Sequence, residues 1–475
     1  MKLPLSRIAE LLGVPRPPSA GNAAMVQGYS IDSRTIAPGE LFFAIKGEHH
    51  DGHEFVAAAF DRGAIAAVVN RKELGRDFPA VPSGALAIYG DRLLVVDDTL
   101  AALQSLGRSV RRLWGKRVVA VTGSAGKTTT KESIASVLGS RLNVLKSIGN
   151  LNNHFGLPLQ LLRLDPEHEA AVVEMGMNHA GEIAALAALA EPNVGVVTMV
   201  APVHLGFFKS VADIAKAKYE LIQGLPPDGT AILNADDEYV SKFGRDFPGK
   251  VVAFGIEHPA DVRAESIVER GAEGSDFELV AGDQVQAAHL PLLGRHNVYN
   301  ALAAVAVALE FGLPLTQAAA ALADLKPADK RGEILSVAGV TVVNDCYNSN
   351  PKALESMIDA LAGMAVGNGN RRIVVAGEML ELGPATADLH RRCGIHAANR
   401  KIDFLLGVRG AAREMVDAAD GEGLAATFIE TPEAAGEWLA RETRPGDLVL
   451  LKASRGVRLE KALDVWKSRF VAANS

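Results

Sequence analysis

The sequence predicts an α/β protein of three domains, and three observations carry that prediction. Its 475 residues are 48% hydrophobic and 22% charged, enough apolar material for several cores at roughly 100–200 residues per domain. Short apolar runs alternate with stretches of helical length along most of the chain, the pattern of strands linked by helices across a parallel sheet. The character of that alternation changes near Asp97-Asp98 and again after Gly312 and Pro314, which sets domains at 1–97, 98–313 and 314–475.

The opening MKLPLSRIAELLGV spaces its apolar residues for a helix, with Arg7 and Glu10 on the polar side, and has neither the apolar core nor the small-residue cleavage site of a signal peptide. Strands at Leu41–Ile45, Ala64–Val69 and Leu93–Val96 flank a helix at Glu54–Arg62, with Pro38-Gly39 and Asp51-Gly52 as turns, which makes a small α/β N-terminal domain. A helix at Leu100–Leu113 leads into the strand Arg117–Val121. Strand and helix then repeat as Val118–Val121 with Lys127–Leu138, Ala170–Glu174 with Ala180–Leu189, and Val194–Val200 with Val211–Leu221, followed by Thr230–Asn234. This is a central parallel-sheet domain with helices on both faces. Ala260–Leu290 alternates like antiparallel strands, and the helix His296–Phe311 closes the unit. Strands at Thr341–Asn344, Arg372–Val375, Phe404–Leu406 and Leu448–Leu451 alternate with helices in the third domain, which reads as doubly wound and Rossmann-like. It has no G-x-G-x-x-G after its first strand, so a nicotinamide cofactor is not expected.

Charge and composition narrow the function classes. Lys plus Arg is 49 and Asp plus Glu is 56, a net charge of -7, which lacks the basic footprint of a nucleic-acid binder. Two cysteines, Cys346 and Cys393, are too few for a disulfide framework and point to a reducing compartment, so a cytoplasmic location is expected. The apolar segment Ile183–Pro202 is broken by Glu191, Pro192 and Asn193, and no run reaches the about 20 residues of a membrane span.

The sharpest chemical signal is an apolar strand, a turn with two glycines and a helix: Val118–Val121, Thr122-Gly123-Ser124-Ala125-Gly126, then Lys127-Thr128-Thr129. Backbone N–H groups of such a turn converge on phosphate oxygens at a helix N-terminus, a lysine supplies charge for the β and γ phosphates, and the Thr128 hydroxyl reaches Mg²⁺. Val121 stands where the general G-x-x-x-x-G-K-[ST] pattern has its first glycine, leaving the shorter T-G-x-x-G-K-T form and a P-loop, ATPase-like central domain. Glu174 ends an apolar strand at the carboxyl edge of the sheet, where ligands of parallel sheets bind. With Thr128 it is the stronger metal-ligand candidate; His204 follows another strand and is the weaker one, because magnesium prefers oxygen. Glu48-His49-His50-Asp51-Gly52-His53 is rich in metal-binding side chains, but its spacing fits no zinc pattern and Asp51-Gly52 marks a turn.

Over essentially its whole length the chain resembles the Mur ligases, ATP-dependent amide-forming enzymes of peptidoglycan precursor synthesis. The resemblance rests on Asp32-Ser33-Arg34, Asp51-Gly52-His53, the short phosphate loop, Glu174, His204, Lys216-Ala217-Lys218, Asn234-Ala235-Asp236, Gly294-Arg295-His296-Asn297 with Asn300, and Arg331. The runs Gly149-Asn150-Leu151-Asn152-Asn153, Glu174–Asn178, Asp345-Cys346-Tyr347-Asn348-Ser349-Asn350-Pro351 and Gly377–Gly383 with His390 resemble the member that adds a dipeptide.

The resemblance implies a ligase that joins D-alanyl-D-alanine to UDP-N-acetylmuramoyl-tripeptide through an acyl phosphate. The first domain would hold the UDP-sugar, the second ATP and two Mg²⁺ ions, and the third the amine, in a monomer whose domains close over the reaction. Lys127, His204, Lys218 and Asp345 become the catalytic candidates, with Thr128, Glu174, His204 and Lys218 at the metals and Lys218 as a site of carbamylation. ATP falls to Gly123, Ser124, Ala125, Gly126, Lys127, Thr128, Thr129, Asn297, Asn300 and Arg331. Ser33, Arg34 and Asn153 fall to the UDP-substrate, and Tyr347, Asn348, Lys452, Ser454 and Arg455 to the dipeptide. Ala453 stands where the family usually has glycine. Several residues carry plainer readings as well: Asn297 as a helix cap, Arg331 as a solvated linker residue, Lys218 on an ordinary amphipathic helix. The alternative activities are the sister ligase that adds a third amino acid to UDP-N-acetylmuramoyl-dipeptide, folate polyglutamate synthesis, and a non-enzymatic nucleotide switch.

Overall fold

The computed structural model describes residues 1–17, 24–74, 89–203 and 205–473. Three sheets follow one another along the chain. In the first, Gly28–Ser30, Glu40–Phe43, Ala66–Asn70 and Leu93–Val96 pair in parallel in that order. The expected N-terminal helix forms over Leu5–Leu12, after a two-residue strand, Leu3–Pro4, that pairs antiparallel with Met25–Val26. The expected helix at Glu54–Arg62 is shorter: a 3-10 turn at Gly52–Phe55 precedes Val56–Asp61. Asp98 then caps the helix Thr99–Trp114 by accepting from the N–H groups of Leu100 and Ala101. The buried face of this helix, with Leu103 and Leu106, packs in one cluster with Leu5 and Leu41 on one side and Val118 and Ala171 on the other.

The central sheet has nine strands in the order Gln284–Leu290, Ser275–Ala281, Val262–Glu269, Lys250–Gly255, Thr230–Asn234, Val194–Val197, Arg117–Thr122, Ala170–Glu174 and Val144–Lys146. Its core is parallel, and the last three strands to join, from Val262 to Leu290, pair antiparallel with each other as their alternation predicted. The strand Arg117–Thr122 is buried on both faces: Val118 and Ala120 join one cluster, Val119 and Val121 the other, where Ile134 and Val305 meet them.

The third sheet runs Glu333–Val337, Val340–Asn344, Leu448–Lys452, Arg372–Gly377, Phe404–Val408 and Ala426–Ile429, parallel except for its first pair. Sequence reading missed the two edge strands. The hairpin that makes the first turns at Ala338 and Gly339, both with positive φ (49° and 80°), a geometry matched to the twist of paired strands; Ala338 carries no turn signal in the sequence. The last strand, Ala426–Ile429, is short and incompletely buried. Among the described residues no helix is long and apolar enough to cross a membrane.

Candidate active site

A cleft of ≈ 1120 Å³ opens between the carboxyl ends of the central strands and the third domain. Its floor is the phosphate loop. After the buried strand Arg117–Thr122, Gly123 (φ 154°) and Gly126 (φ 80°) turn the chain into the helix Lys127–Gly139. The loop is fastened to the next strand's exit: Ser124 N–H donates to Met199 O (2.8 Å), its Oγ donates to Ala201 O (3.1 Å), and Thr198 Oγ1 donates to Ala125 O (2.6 Å). A Cβ on Gly126 would stand 2.6 Å from Asn300 Oδ1, so only glycine fits there. Asn300 in turn accepts from Thr130 Oγ1 (3.0 Å) and donates to Asn297 Oδ1 (2.9 Å), and Asn297 donates to Leu293 O (2.8 Å). The asparagines on the helix Arg295–Glu310 therefore brace the loop; the carboxamide of Asn297 does not cap its own helix.

Lys127 Nζ folds back onto Gly123 O (2.8 Å). Burial lowers its pKa, Glu174 opposes this and Arg331 adds to it. Thr128 Oγ1 donates to Glu174 Oε2 and Asn152 Nδ2 to Glu174 Oε1, each at 2.8 Å, so the carboxylate faces the loop with both oxygens engaged. Glu174 itself is held by its N–H on Ser147 Oγ (3.1 Å), and Ser147 O accepts from the buried Lys131 (2.8 Å). A hydroxyl and a carboxylate beside a phosphate-binding turn are the oxygen donors magnesium takes, and they fit an ion completed by phosphate oxygens and water. Among the described residues no group of three His, Cys, Asp or Glu side chains could hold a metal by itself. His204 lies outside the described residues.

Lys218 sits on the helix Val211–Gln223, which Ser210 caps through Asp213 N–H. It is buried, without a hydrogen-bond or ion-pair partner among the described residues. Burial first and Lys127 second push its pKa well below the ordinary lysine value. An exposed amphipathic lysine would show neither feature.

Across the cleft, the loop after Val340–Asn344 brings Asp345, Tyr347 and Asn348 to the opposite wall. Lys452, at the end of its strand, pairs with Asp345 and donates to Asn348 O (3.1 Å). Ser454 Oγ donates to Ser349 O (3.3 Å) and accepts from Leu380 N–H (2.9 Å). Asn350 caps the helix Pro351–Gly363 through Ala353 N–H (2.9 Å), with Pro351 at its first position as expected. Between the walls His296 is half-buried, with its Nδ1 shut off from solvent. Desolvation lowers its pKa to about 4, with Asp345 raising and Lys452 lowering it, and its Nδ1 has no hydrogen-bond partner.

Of the residues singled out from sequence, Ser124–Thr129, Glu174, Asn297, Asn300, Arg331, Asp345, Tyr347, Asn348, Lys452, Ser454 and Arg455 all line this one cleft. Gly123 and Lys218, which lie behind the loop, and Ser33, Arg34 and Asn153 are not among its lining residues. Arg34 is exposed and chelates Asp32 through Nε (2.9 Å) and Nη2 (2.7 Å), while Ser33 is buried. Asn153 Oδ1 accepts from Gly156 N–H (2.9 Å) at the start of the helix Gly156–Leu162. The histidine-rich decoy is a fold element: the buried His53 bonds Asp51 through Nδ1 (2.6 Å) and accepts from Asn70 N–H through Nε2 (2.9 Å). His390, on the helix Thr386–Ala398, likewise accepts from Met379 N–H (2.9 Å) and bonds Thr386 O (2.7 Å), which fixes the Gly377–Gly383 loop.

Two cleft residues gained no role from sequence alone. Asn152 was visible only as one asparagine in a run. Asp236 collects the N–H groups of Ile256, Glu257 and His258 (2.6–2.9 Å) and the Tyr299 hydroxyl (2.9 Å). Burial pushes its carboxyl up, but the three N–H groups together with the His258 ring (2.9 Å) outweigh it and hold the pKa below the ordinary value. A carboxylate two residues after a strand's last asparagine, Asn234, was the one available signal.

Comparison with known proteins matches residues 25–111 to the Mur ligase family, catalytic domain, 121–308 to the Mur ligase middle domain, and 330–455 to the Mur ligase, glutamate ligase domain. The UDP-N-acetylmuramoyl-tripeptide–D-alanyl-D-alanine ligase of Bacillus subtilis is 35% identical over 440 residues, 92% of each chain. A crystal structure of MurF from Acinetobacter baumannii is 28% identical and superposes with a TM-score of 0.86 over 98% of this chain and 99% of that one. MurF ligase from Thermotoga maritima in complex with ADP gives 0.79 at 28% identity, over 94% and 99%. Sequence, fold and cleft together establish that this chain belongs to the Mur ligase family.

Proposed function

We propose that the chain joins D-alanyl-D-alanine to UDP-N-acetylmuramoyl-tripeptide, converting ATP to ADP and phosphate and giving the UDP-N-acetylmuramoyl-pentapeptide of peptidoglycan synthesis. The observation that carries the reading is the single cleft in which the phosphate loop, Glu174 and the Asp345–Pro351 loop face each other across two domains. Relatives that act on this substrate pair match over nearly the whole chain, and one similar structure holds ADP. The sister ligase that adds the third amino acid is not favoured.

The substrate carboxylate attacks the γ-phosphorus of ATP, ADP leaves, and the acyl phosphate that results is displaced by the dipeptide amine with loss of phosphate. Most of the protein's task is positioning and charge neutralisation. Lys127, released from Gly123 O, is placed to meet the β and γ phosphates, with the N–H groups of Ser124–Thr129 around them. Thr128 and Glu174 would hold Mg²⁺, with His204 and Lys218 beside a second ion; the ions supply charge that offsets the repulsion between carboxylate and phosphate. Lys218 becomes an anion there by carbamylation, its neutral amine adding to CO₂ with loss of a proton. Asn297, Asn300 and Arg331 serve ATP, Ser33, Arg34 and Asn153 the UDP-substrate, and Tyr347, Asn348, Lys452, Ser454 and Arg455 the dipeptide, with Asp345 a catalytic residue facing ATP and the dipeptide. These roles divide the chain at 1–97, 98–313 and 314–475. We place the protein in the cytoplasm as a monomer, with its two cysteines free and buried. Closure of the third domain over the cleft shields the acyl phosphate from water.

The test is phosphate release with ATP, Mg²⁺ and UDP-N-acetylmuramoyl-tripeptide, comparing D-alanyl-D-alanine with single amino acids, and product mass as a second readout. Turnover with the dipeptide alone and a pentapeptide product are expected. Turnover only with a single amino acid on the dipeptide precursor would overturn the reading.

A further inference from the structure

Tyr347 lines the cleft, yet its ring is already engaged by cations. The Arg331 guanidinium carbon lies 4.2 Å from the ring centroid and that of Arg455 lies 5.8 Å away. Both distances fall within the range in which a cation is drawn to an aromatic face. The stack is anchored on each side. Arg331 belongs to the segment between the central helices and the third sheet, where Lys330 and Gly332 hold positive φ (55° and 72°), and Tyr347 N–H donates to Lys330 O (3.2 Å). Arg455 pairs with Glu460 (2.6 Å), and Lys330 reaches the same carboxylate at 3.5 Å. The connecting segment is thereby clamped to the third domain beside the phosphate loop, and Arg331 acts electrostatically on Lys127.

We infer that Tyr347 is a positioning residue for the nucleotide: its ring holds the Arg331 guanidinium toward the phosphates and makes it travel with the third domain. This rests on the proposed ATP-dependent reaction, and it adds to the contact Tyr347 makes with the dipeptide a function that the ring faces perform and the hydroxyl does not. Arginine suits this position because its planar cation stacks while its N–H groups stay free to donate; a lysine ammonium would not do both.

The ring and the hydroxyl can be separated by substitution. Tyr347→Phe keeps the stack, so ADP binding by calorimetry and the KM for ATP stay within about twofold of the parent. Tyr347→Leu removes the π face and weakens ADP binding about tenfold, the scale of a partly desolvated cation–π contact, and Arg331→Lys gives a similar loss. A double substitution, Tyr347→Leu with Arg331→Lys, loses no more than either alone if the two act as one unit. The inference is overturned if Tyr347→Leu binds ADP like the parent, or if both Tyr347 variants raise only the KM for the dipeptide. ADP binding needs no acceptor, so its result stands whatever the parent protein does with D-alanyl-D-alanine; lack of turnover by the parent would sink the proposed activity and leave the stack in place.

Discussion

Replacing Gly126 with alanine probes how the phosphate loop is braced. At φ 80° an alanine pays the left-handed backbone penalty, about 1–2 kcal/mol. Its Cβ would also stand 2.6 Å from Asn300 Oδ1. A side-chain end normally yields cheaply, but this one is buried and tied to Thr130 Oγ1 and through its amide to Asn297. Moving it breaks at least one buried hydrogen bond, a further loss of about 1–3 kcal/mol. Gly126→Ala should therefore destabilise by about 2–5 kcal/mol in urea unfolding. Gly149→Ala is the control: φ is 57° and nothing lies within 4 Å of the added Cβ, so only the backbone penalty applies. The difference between the two variants, about 1–3 kcal/mol, isolates the Asn300 contact, and the KM for ATP should rise in the Gly126 variant alone. Equal destabilisation of both variants, within error, would refute the bracing argument.

Three further outcomes are expected. His296 has a folded pKa of about 4 against 6.5, so the stability it contributes is whole above pH 6.5 and is lost as pH falls toward 4, about 3 kcal/mol in all; thermal unfolding of His296→Leu should show a flatter acid limb than the parent. Burial, and Lys127 beside it, lower the pKa of Lys218 well below the ordinary lysine value and so make its amine easier to deprotonate than that of an exposed lysine; ¹³C-labelled bicarbonate should therefore give a carbamate NMR signal that Lys218→Arg lacks, and activity should fall as the pH drops and protonates the amine. Glu174→Gln keeps the Asn152 and Thr128 neighbours but removes the anion, so the Mg²⁺ concentration for half-maximal turnover should rise at least about tenfold; an unchanged requirement would place the metal elsewhere.

What could be read from the sequence follows from how local each determinant is. The central strand Arg117–Thr122 is buried on both sides and flanked by a glycine turn, so a continuous apolar run is both its cause and its signal. The edge strand Glu333–Val337 has a mixed burial pattern and owes its existence to its partner Val340–Asn344, which no local pattern encodes. The same divide separates the site residues. Gly126 and Lys127 are legible because phosphate binding fixes their spacing. Asn300 lies far along the chain from Thr130, and its buried bond to that residue exists only once the helix Arg295–Glu310 crosses Lys127–Gly139. Ala453 constrains Gly377 in the same non-local way: a Cβ on Gly377 would meet that of Ala453 at 2.5 Å, a contact between residues far apart in sequence.

The charges around the cleft are held by contacts within the protein. Each potentially reactive cation leans on a protein group that a substrate would replace: Lys127 on the Gly123 carbonyl and Lys452 on Asp345. Arg455 is different, because Glu460 and the Tyr347 ring hold it in a place that needs no ligand. A buried charge left without a partner is costly, and Lys218 is the one lysine here that meets this by a shifted pKa and no partner among the described residues. Arriving phosphates would supply Lys127 with a charged acceptor in place of the Gly123 carbonyl and raise its pKa, while their own negative charge, unless offset by Mg²⁺, would favour an ammonium over a carbamate on Lys218. Nucleotide binding and carbamate formation at Lys218 are thus linked reciprocally through the net charge at the phosphates, and ATP with Mg²⁺ should give a higher carbamate occupancy at fixed bicarbonate than ATP without the metal.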